Sequence, residues 1–235
     1  DGAFDVAAMI AALTPRTRLL MFSCPSNPVG STLNADELQQ LLAALPAYCL
    51  LVLDEAYYEY AQHEAGYPDC LGLIQDSAKP FILLRTFSKA YSLAGLRIGY
   101  GIVSDPVLAD LIDRLRTPFN INRVAQAAAV AALADDEHLH AALEHVAGER
   151  RRMATALQGL GIVSVPSMAN FLFFSTPLAA ETVNQALLHL GVIIKPWREA
   201  GHTRYLRVSV GSREDNDLFL EALASVLTQQ HVRSA

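Results

Sequence analysis

Cysteine is scarce in this sequence, and its placement excludes two kinds of protein. The three residues Cys24, Cys49 and Cys70 are far apart, odd in number and form no C-x-x-C motif. Neither a disulfide framework nor a zinc site is therefore expected, and the seven histidines show no metal-ligand spacing that would change this. Free thiols are typical of a reducing compartment, so we expect a cytoplasmic protein without a metal.

Basic residues and long apolar runs are also few. Lysine and arginine number 18 against 24 aspartates and glutamates, which gives a formal net charge of −6. Because affinity for a phosphate backbone depends on clustered basic residues, no nucleic-acid partner is expected. No apolar stretch reaches membrane-spanning length, and the first residues lack the features of a signal peptide, so no membrane partner is expected either.

Hydrophobic residues make up 52% of the chain and charged residues 18%, a composition that argues against disorder. In the first half, short apolar runs alternate with amphipathic stretches, which predicts an α/β fold with a mostly parallel sheet covered by helices. The predicted strands are 18–22, 48–53, 81–84 and 98–103. The predicted helices are 4–13, 35–45, 106–116 and 124–133, and Asn34 with Glu37 predicts a capping box before the second of them.

The second half predicts a smaller domain. A charged, alanine-rich stretch at 137–160 is typical of a long connecting helix. Beyond it, strands are predicted at 170–174, 192–195 and 205–210, and helices at 179–190 and 213–227. We therefore predict a large domain over residues 1–135 and a small domain over residues 136–235, with the boundary near Asp135.

Lys89 is the residue with the most informative neighbours. A lysine that forms a Schiff base must be unprotonated to react, so it needs a partly buried, electropositive setting that lowers its pKa. The strand at 81–84 leads to Lys89, and Arg85 and Arg97 supply positive charge. Thr86, Ser88 and Arg97 offer hydroxyl and guanidinium donors for phosphate oxygens. A single lysine after a strand is usually a surface residue, but this combination favours pyridoxal phosphate chemistry.

Two further strand ends carry polar residues. Asp54 ends an apolar strand and must be solvated or paired, because burying an uncompensated carboxylate is costly. Its partner would be a protonated ring nitrogen, or else the carboxylate caps the next segment of the chain. In the turn after the first strand, Pro28 fixes φ and Gly30 permits a left-handed backbone. Asn27 of that turn either points its amide at a ligand or only shapes the turn. Ligands collect beyond the carboxyl ends of parallel strands, where these residues fall.

These motifs together carry a family resemblance that extends over essentially the whole chain. In their order along the sequence, Asn27-Pro28-Val29-Gly30, Asp54-Glu55-Ala56-Tyr57 and Ser88-Lys89 with Arg97 resemble the fold-type I pyridoxal-phosphate aminotransferases. Within that group the chain is most similar to the histidinol-phosphate aminotransferase branch. The segments that carry this closer similarity are 86–91, 93–100, 118–122 and 206–211.

The resemblance implies a role for each residue around the cofactor. Lys89 would hold pyridoxal 5'-phosphate as a Schiff base and later move a proton between Cα of the substrate and the aldehyde carbon. Asp54 would keep the pyridine nitrogen protonated, and Asn27 and Tyr57 would hydrogen-bond the phenolic oxygen of the ring.

The resemblance also implies how anionic groups are held. Thr86, Ser88 and Arg97 would bind the cofactor phosphate. Arg207 would take the substrate α-carboxylate as a bidentate pair, although an arginine on an apolar strand could instead serve a structural ion pair. Asn170 could approach the same carboxylate.

The activity implied is amino-group transfer from L-histidinol phosphate to 2-oxoglutarate in histidine biosynthesis, in a homodimer with its active site at the subunit interface. An aromatic amino-acid aminotransferase, a phosphothreonine-type decarboxylase and an aminotransferase-like sensor domain of a transcription regulator remain alternatives. Family members have a substantial portion before the equivalent of Phe4, containing a phosphate-binding loop and an intersubunit tyrosine. With the missing initiator methionine, this predicts that the chain is a fragment.

Overall fold

Residues 2–234 are described by a computed structural model of the chain, with side chains described as far as residue 228. The chain divides into two compact units. The first comprises residues 3–27 and 31–143; the second comprises Gly2, Pro28–Gly30 and the chain from Glu144 onward. The division into domains near Asp135 stays a prediction. Within the described part of the chain, no helix has both the length and the apolar character needed to cross a membrane.

The first unit contains a four-stranded sheet that confirms the predicted α/β class. Its strands β1 (Leu19–Ser23), β2 (Leu50–Asp54), β3 (Phe81–Thr86) and β4 (Gly99–Val103) lie in the order β1-β2-β3-β4. The pairs β1–β2 and β2–β3 are parallel, whereas β4 runs antiparallel to β3. The sheet is therefore mostly parallel, as predicted, with one antiparallel edge strand.

Six helices belong to this unit: α1 (Val6–Ala12), α2 (Ala35–Ala44), α3 (Tyr58–Ala61), α4 (Cys70–Asp76), α5 (Pro106–Leu115) and α6 (Arg123–Leu133). The capping box predicted for α2 is present, because Asn34 Oδ1 accepts from the Glu37 N–H at 2.9 Å and Glu37 Oε2 accepts from the Asn34 N–H at 2.8 Å. Neither α3 nor α4 was predicted, since both are too short to show a helical period in the sequence.

The core of the first unit forms where β2 and β3 pack against α2. Leu51, Leu53 and Leu83 are fully buried and share one cluster with Leu38 and Leu41 of α2. Each such leucine contributes roughly 1.5–3 kcal/mol through burial. The central strand β2 is apolar throughout its buried part, residues 51–53, as is typical of parallel strands that are buried on both faces.

A glycine permits the close approach of β4 to β3. A Cβ on Gly99 would lie 2.7 Å from the Arg85 carbonyl oxygen, so any other residue there would push the two strands apart. The paired residues Thr86 and Gly99 lie just before and after the segment that contains Lys89. The geometry of that segment therefore depends on Gly99.

The second unit is built on an antiparallel sheet. Its strands β5 (Ser164–Val165), β6 (Phe171–Ser175), β7 (Lys195–Pro196) and β8 (Tyr205–Ser209) lie in the order β5-β6-β8-β7. Its helices are α8 (Ala180–His189), α9 (Arg213–Ser234) and, from Glu144 onward, α7 (Asp136–Gly159). The strand predicted at 192–195 is wrong for most of its length, because Val192 and Ile194 enter the core without pairing and only Lys195 joins the sheet.

The two faces of this sheet differ. Leu206 and Val208 point into a core that also contains Phe174, Met153 and Leu223. Residues at alternate positions point the other way, so Tyr205 and Arg207 lie on the opposite face. That face carries the polar and aromatic groups of the second unit.

Candidate active site

The carboxyl ends of three parallel strands meet at one edge of the first sheet. The register places Ser23 beside Asp54, and Asp54 beside Leu84. The turn bearing Asn27, the segment bearing Tyr57 and the loop bearing Lys89 all leave the sheet from this edge. The three segments that were singled out in the sequence are therefore neighbours in the first unit.

Asp54 is held in place at the end of β2. Its Oδ1 accepts a hydrogen bond from the Ala56 N–H at 2.9 Å, and the side chain is half-buried. Among the described residues, no hydrogen bond to Oδ2 is found. A half-buried carboxylate gains free energy from a donor at that oxygen, and a protonated nitrogen would supply one.

Lys89 lies against Tyr57. Its Nζ is 5.4 Å from the centroid of the Tyr57 ring, and that ring is only 4% exposed. The loop is closed by two backbone hydrogen bonds, from the Ser92 N–H to the Lys89 carbonyl and from the Leu93 N–H to the Phe87 carbonyl, both at 2.9 Å. Lys89 therefore extends from a tight turn over a buried aromatic ring.

The predicted phosphate ligands lie along the same loop. Thr86 Oγ1 accepts from the Ser88 N–H at 3.1 Å, which places both hydroxyls on one turn. Arg97 is exposed, has a left-handed backbone with φ 54°, and donates from Nη1 to the Ala94 carbonyl at 2.8 Å. Asn27 is also exposed, and its N–H donates to Ser23 Oγ at 3.1 Å. The cofactor contacts of these residues stay predictions.

The expectation that Arg85 supplies positive charge to Lys89 is wrong. Its Nε and Nη2 both donate to Glu55 Oε2 at 2.8 Å, and its guanidinium carbon lies 3.3 Å from the centroid of the Tyr58 ring. Glu55 is fully buried. The charge of Arg85 is thus compensated by a carboxylate that was part of a sequence motif but had no role assigned to it.

Arg207 and Asn170 belong to the second unit. The guanidinium carbon of Arg207 lies 4.9 Å from the centroid of the Phe171 ring. Across the sheet, Arg207 pairs with Phe173 on one side and with Lys195 on the other, so two cations are neighbours on one face. Asn170 accepts the Val210 N–H on its carbonyl at 2.9 Å, which places it beside the end of β8.

Lys195 was not predicted from the sequence as a site residue. A lysine at the end of an apolar run gave a signal, but only the pairing of β7 with β8 shows that it neighbours Arg207. A pair of cations suits a phosphate or carboxylate better than one cation does.

Aromatic side chains line a cavity of about 500 Å³ on the same face of the second unit. Phe173 stacks on Tyr205 with ring centroids 5.0 Å apart and meets the edge of Trp197 at 5.9 Å. His202 and Glu199 also line this space, and Glu199 accepts from the indole N–H of Trp197 at 3.1 Å. These rings could stack against a planar group.

Comparison with known proteins gives a consistent result. A sequence profile of the family Aminotransferase class I and II matches residues 1–223. Histidinol-phosphate aminotransferase 1 of Mesorhizobium japonicum is 48% identical over 227 residues, which are 97% of this chain and 62% of that protein. Histidinol-phosphate aminotransferase 3 of Rhizobium meliloti is 47% identical over 226 residues, which are 96% of this chain and 61% of that protein.

A solved structure is similar over the same extent. It is the crystal structure of histidinol-phosphate aminotransferase from Sinorhizobium meliloti in complex with pyridoxal-5'-phosphate, with a TM-score of 0.87 and 34% sequence identity. The match covers 98% of this chain and 63% of that one. The chain thus spans 61–62% of the length of the two curated relatives.

Proposed function

Because this chain belongs to the Aminotransferase class I and II family, we propose that the protein is a pyridoxal-phosphate-dependent aminotransferase in which Lys89 carries the cofactor. The observation that carries this proposal is the meeting of Asp54, Tyr57 and Lys89 at one sheet edge. The residues present fit the group, since Asp54 Oδ2 accepts no hydrogen bond among the described residues and could accept one from a protonated ring nitrogen. When bound, pyridoxal phosphate supplies an aldehyde that condenses with amines and a ring that accepts electrons.

Each residue at this edge has a task in the proposal. Asp54 holds a proton on the ring nitrogen, and the Ala56 N–H keeps its carboxylate oriented for this. Lys89 Nζ bonds the cofactor and afterwards moves the proton at Cα of the substrate. The amide of Asn27 and the hydroxyl of Tyr57 hydrogen-bond the ring oxygen.

The anionic groups are held by hydroxyls and guanidinium groups. Thr86, Ser88 and Arg97 bind the cofactor phosphate, for which three donors of this kind are suited. Arg207 binds an anionic group of the substrate, and its neighbour Lys195 supplies a second positive charge. Asn170 assists at the same group.

L-histidinol phosphate is the amino donor that we propose, with 2-oxoglutarate as the acceptor, in histidine biosynthesis. The names of the relatives support this choice, and the adjacent cations Lys195 and Arg207 suit the phosphate dianion of such a donor. The resemblance to the family supports a homodimer in the cytoplasm.

Transfer from an aromatic amino acid is the second candidate. It is favoured by the aromatic lining of the cavity in the second unit, where Phe173, Trp197 and Tyr205 could stack on a substrate ring. The two candidates differ in the anion that Arg207 and Lys195 would bind, which is a phosphate in one and a carboxylate in the other.

A panel of amines tests the proposal on the full-length protein. Histidinol phosphate, phenylalanine, tyrosine and phosphothreonine are each mixed with the cofactor-loaded protein, and the absorbance of the cofactor is followed before and after 2-oxoglutarate is added. Histidinol phosphate should convert the cofactor fastest, and 2-oxoglutarate should restore it. Faster conversion by phenylalanine or tyrosine would favour the second candidate, carbon dioxide release would indicate a decarboxylase, and no conversion by any amine would refute transamination.

A further inference from the structure

Glu59 is a buried carboxyl group to which the proposed chemistry gives no role. It lies on α3, two residues after Tyr57, and is 1% exposed. Among the described residues, its Oε2 is a buried side-chain atom with no hydrogen-bond partner. Buried polar atoms are almost always paired in proteins, so an unpaired carboxyl oxygen at this position requires an explanation.

The charges that face Glu59 leave it without a cation of its own. From β3 it is faced by Arg85, but Nε and Nη2 of Arg85 both bind Glu55, the residue that follows β2. Tyr60 of α3 and Tyr91 of the loop after β3 are neutral neighbours, and the pKa of each is raised by burial and then by the charge of Glu59. One positive charge therefore faces two buried carboxyl groups.

Glu59 lies on one of the two segments that carry the proposed chemistry and is close enough to the other to act on Tyr91. One is its own segment, which includes Tyr57. The other is the loop in which Tyr91 packs on Phe87 with ring centroids 5.0 Å apart, and Lys89 lies between those two residues in the chain. The Nζ of Lys89 in turn lies over the Tyr57 ring, 5.4 Å from its centroid. A charge on Glu59 would thus arise where these segments pack together.

We propose that Glu59 is a positioning residue whose protonated form holds the Tyr57 segment packed against the Lys89 loop. This role rests on the proposed function of Lys89. Burial raises the pKa of Glu59 to about 7, in agreement with the missing cation. Above that pH the carboxyl group ionises, the uncompensated charge disfavours the packed arrangement, and the hold on Lys89 weakens.

The sign of the pH dependence follows from the raised pKa. The ordinary value for this group is 4.5 and its value in the folded protein is about 7. Below 4.5 both folded and unfolded states hold the proton; as pH rises through this interval, the unfolded state loses it first, so the folded state becomes relatively less stable. The loss is complete above 7.

The variant Glu59→Gln keeps the shape of the carboxyl group without a charge. Measured by thermal unfolding of the full-length, cofactor-loaded protein, its Tm should match the unaltered protein near pH 4.5 and exceed it by about 5–10 °C at pH 8.5. Glu137→Gln, a change at an exposed glutamate of the same unit, is the control and should show no such trend. Retention of cofactor at alkaline pH should also extend to higher pH in Glu59→Gln.

Two results would overturn the proposal. A Tm difference that does not change with pH would mean that Glu59 holds no proton, and unchanged cofactor retention would remove its effect on Lys89. If Glu59→Gln does not fold, the neutral variant Glu59→Met and infrared detection of a protonated carboxyl in the unaltered protein decide the same point. None of these measurements requires turnover, so failure of the amine panel stays distinguishable from failure of this proposal.

Discussion

Two buried glutamates, Glu149 of the second unit and Glu59 of the first, are in opposite environments, whereas the buried Glu55 of the first unit is paired with Arg85. Glu149 in the second unit is 7% exposed, and its Oε2 accepts from Arg152 Nη2 at 2.7 Å and from Asn216 Nδ2 at 2.9 Å. These hydrogen bonds lower its pKa to about 2. Within the described part of the chain, Glu59 in the first unit has no such side-chain donors, and burial raises its pKa to about 7.

The difference shows which unit leaves buried carboxyl groups without compensating donors or cations. In the second unit, Arg152 and Arg213 both stand beside Glu149, and Arg152 also binds Asp217, so this network serves the scaffold. In the first unit, Glu59 Oε2 and Asp54 Oδ2 both lack donors among the described residues, at the strand ends where the family motifs lie. Incomplete compensation of buried charge is a feature of functional sites, and here it distinguishes the two units.

The largest effect is expected from Lys89→Ala. Turnover should fall by at least about 10³-fold, because no other group provides the covalent bond and the proton transfer together. The control is Lys79→Ala at the start of β3, where Nζ donates to the Leu45 carbonyl at 2.7 Å and serves packing alone. Borohydride reduction followed by mass measurement should find cofactor bonded covalently to the Lys79→Ala variant. The Lys89→Ala variant should carry none. A label that persists in Lys89→Ala would move the reactive site away from the strand ends.

A smaller effect is expected from Arg207→Gln in the second unit. Loss of a charge-assisted bidentate contact is worth about 1.5–3 kcal/mol, which corresponds to a fall of roughly 10-fold to 100-fold in kcat/KM. Most of this fall in kcat/KM should come from a higher KM. Such a result would assign substrate binding to the second unit and the chemical step to the first. Arg204→Gln, at an exposed position of the preceding turn, should leave KM unchanged. A fall confined to kcat would mean that Arg207 does not bind substrate.

Long elements and strand-end residues could be predicted from the sequence because their signals are local. The capping box of α2 was predicted from Asn34 and Glu37, and both of its hydrogen bonds are present. Asp54 and Lys89 could be singled out because Asp54 ends an apolar strand and Lys89 lies in the loop after the next one, and parallel strands place such residues at one edge.

The partners of these residues could not be predicted, because they depend on contacts distant in sequence. Arg85 and Glu55 lie on neighbouring strand ends and form an ion pair. The positive charge expected to act on Lys89 is therefore compensated by Glu55. Burial of Glu59 depends on which side of a four-residue helix faces the sheet, and so short a helix has no readable period. The proximity of Lys195 and Arg207 required the register of β7 on β8.

The variant Glu149→Gln tests the contrast between the two glutamates directly, through the pH dependence of stability. Its lowered pKa means that stability from ionised Glu149 is present above 4.5 and is lost as pH falls toward 2. Glu149→Gln should therefore lower stability by about 1–3 kcal/mol at pH 7, after allowance for solvent screening, and the loss should shrink in acid. Glu221→Gln on the exposed side of α9 is the control. Thermal unfolding should show opposite pH trends for the variants of Glu59 and Glu149.

Helix capping gives the smallest expected difference between the units. In the first unit α2 begins with the Asn34 cap, whereas in the second α8 begins after Ala179, which makes no side-chain capping bond. Asn34→Ala should therefore cost about 1 kcal/mol. The reciprocal change Ala179→Asn should add up to about 1 kcal/mol, because Ala179 is exposed and already has the extended backbone of a cap, with φ −62° and ψ 136°. Denaturant unfolding measures both changes in stability. The Ala180 N–H at the start of α8 already donates to the Thr203 carbonyl at 2.8 Å. A loss of stability in Ala179→Asn would show that this backbone hydrogen bond already satisfies the start of the helix.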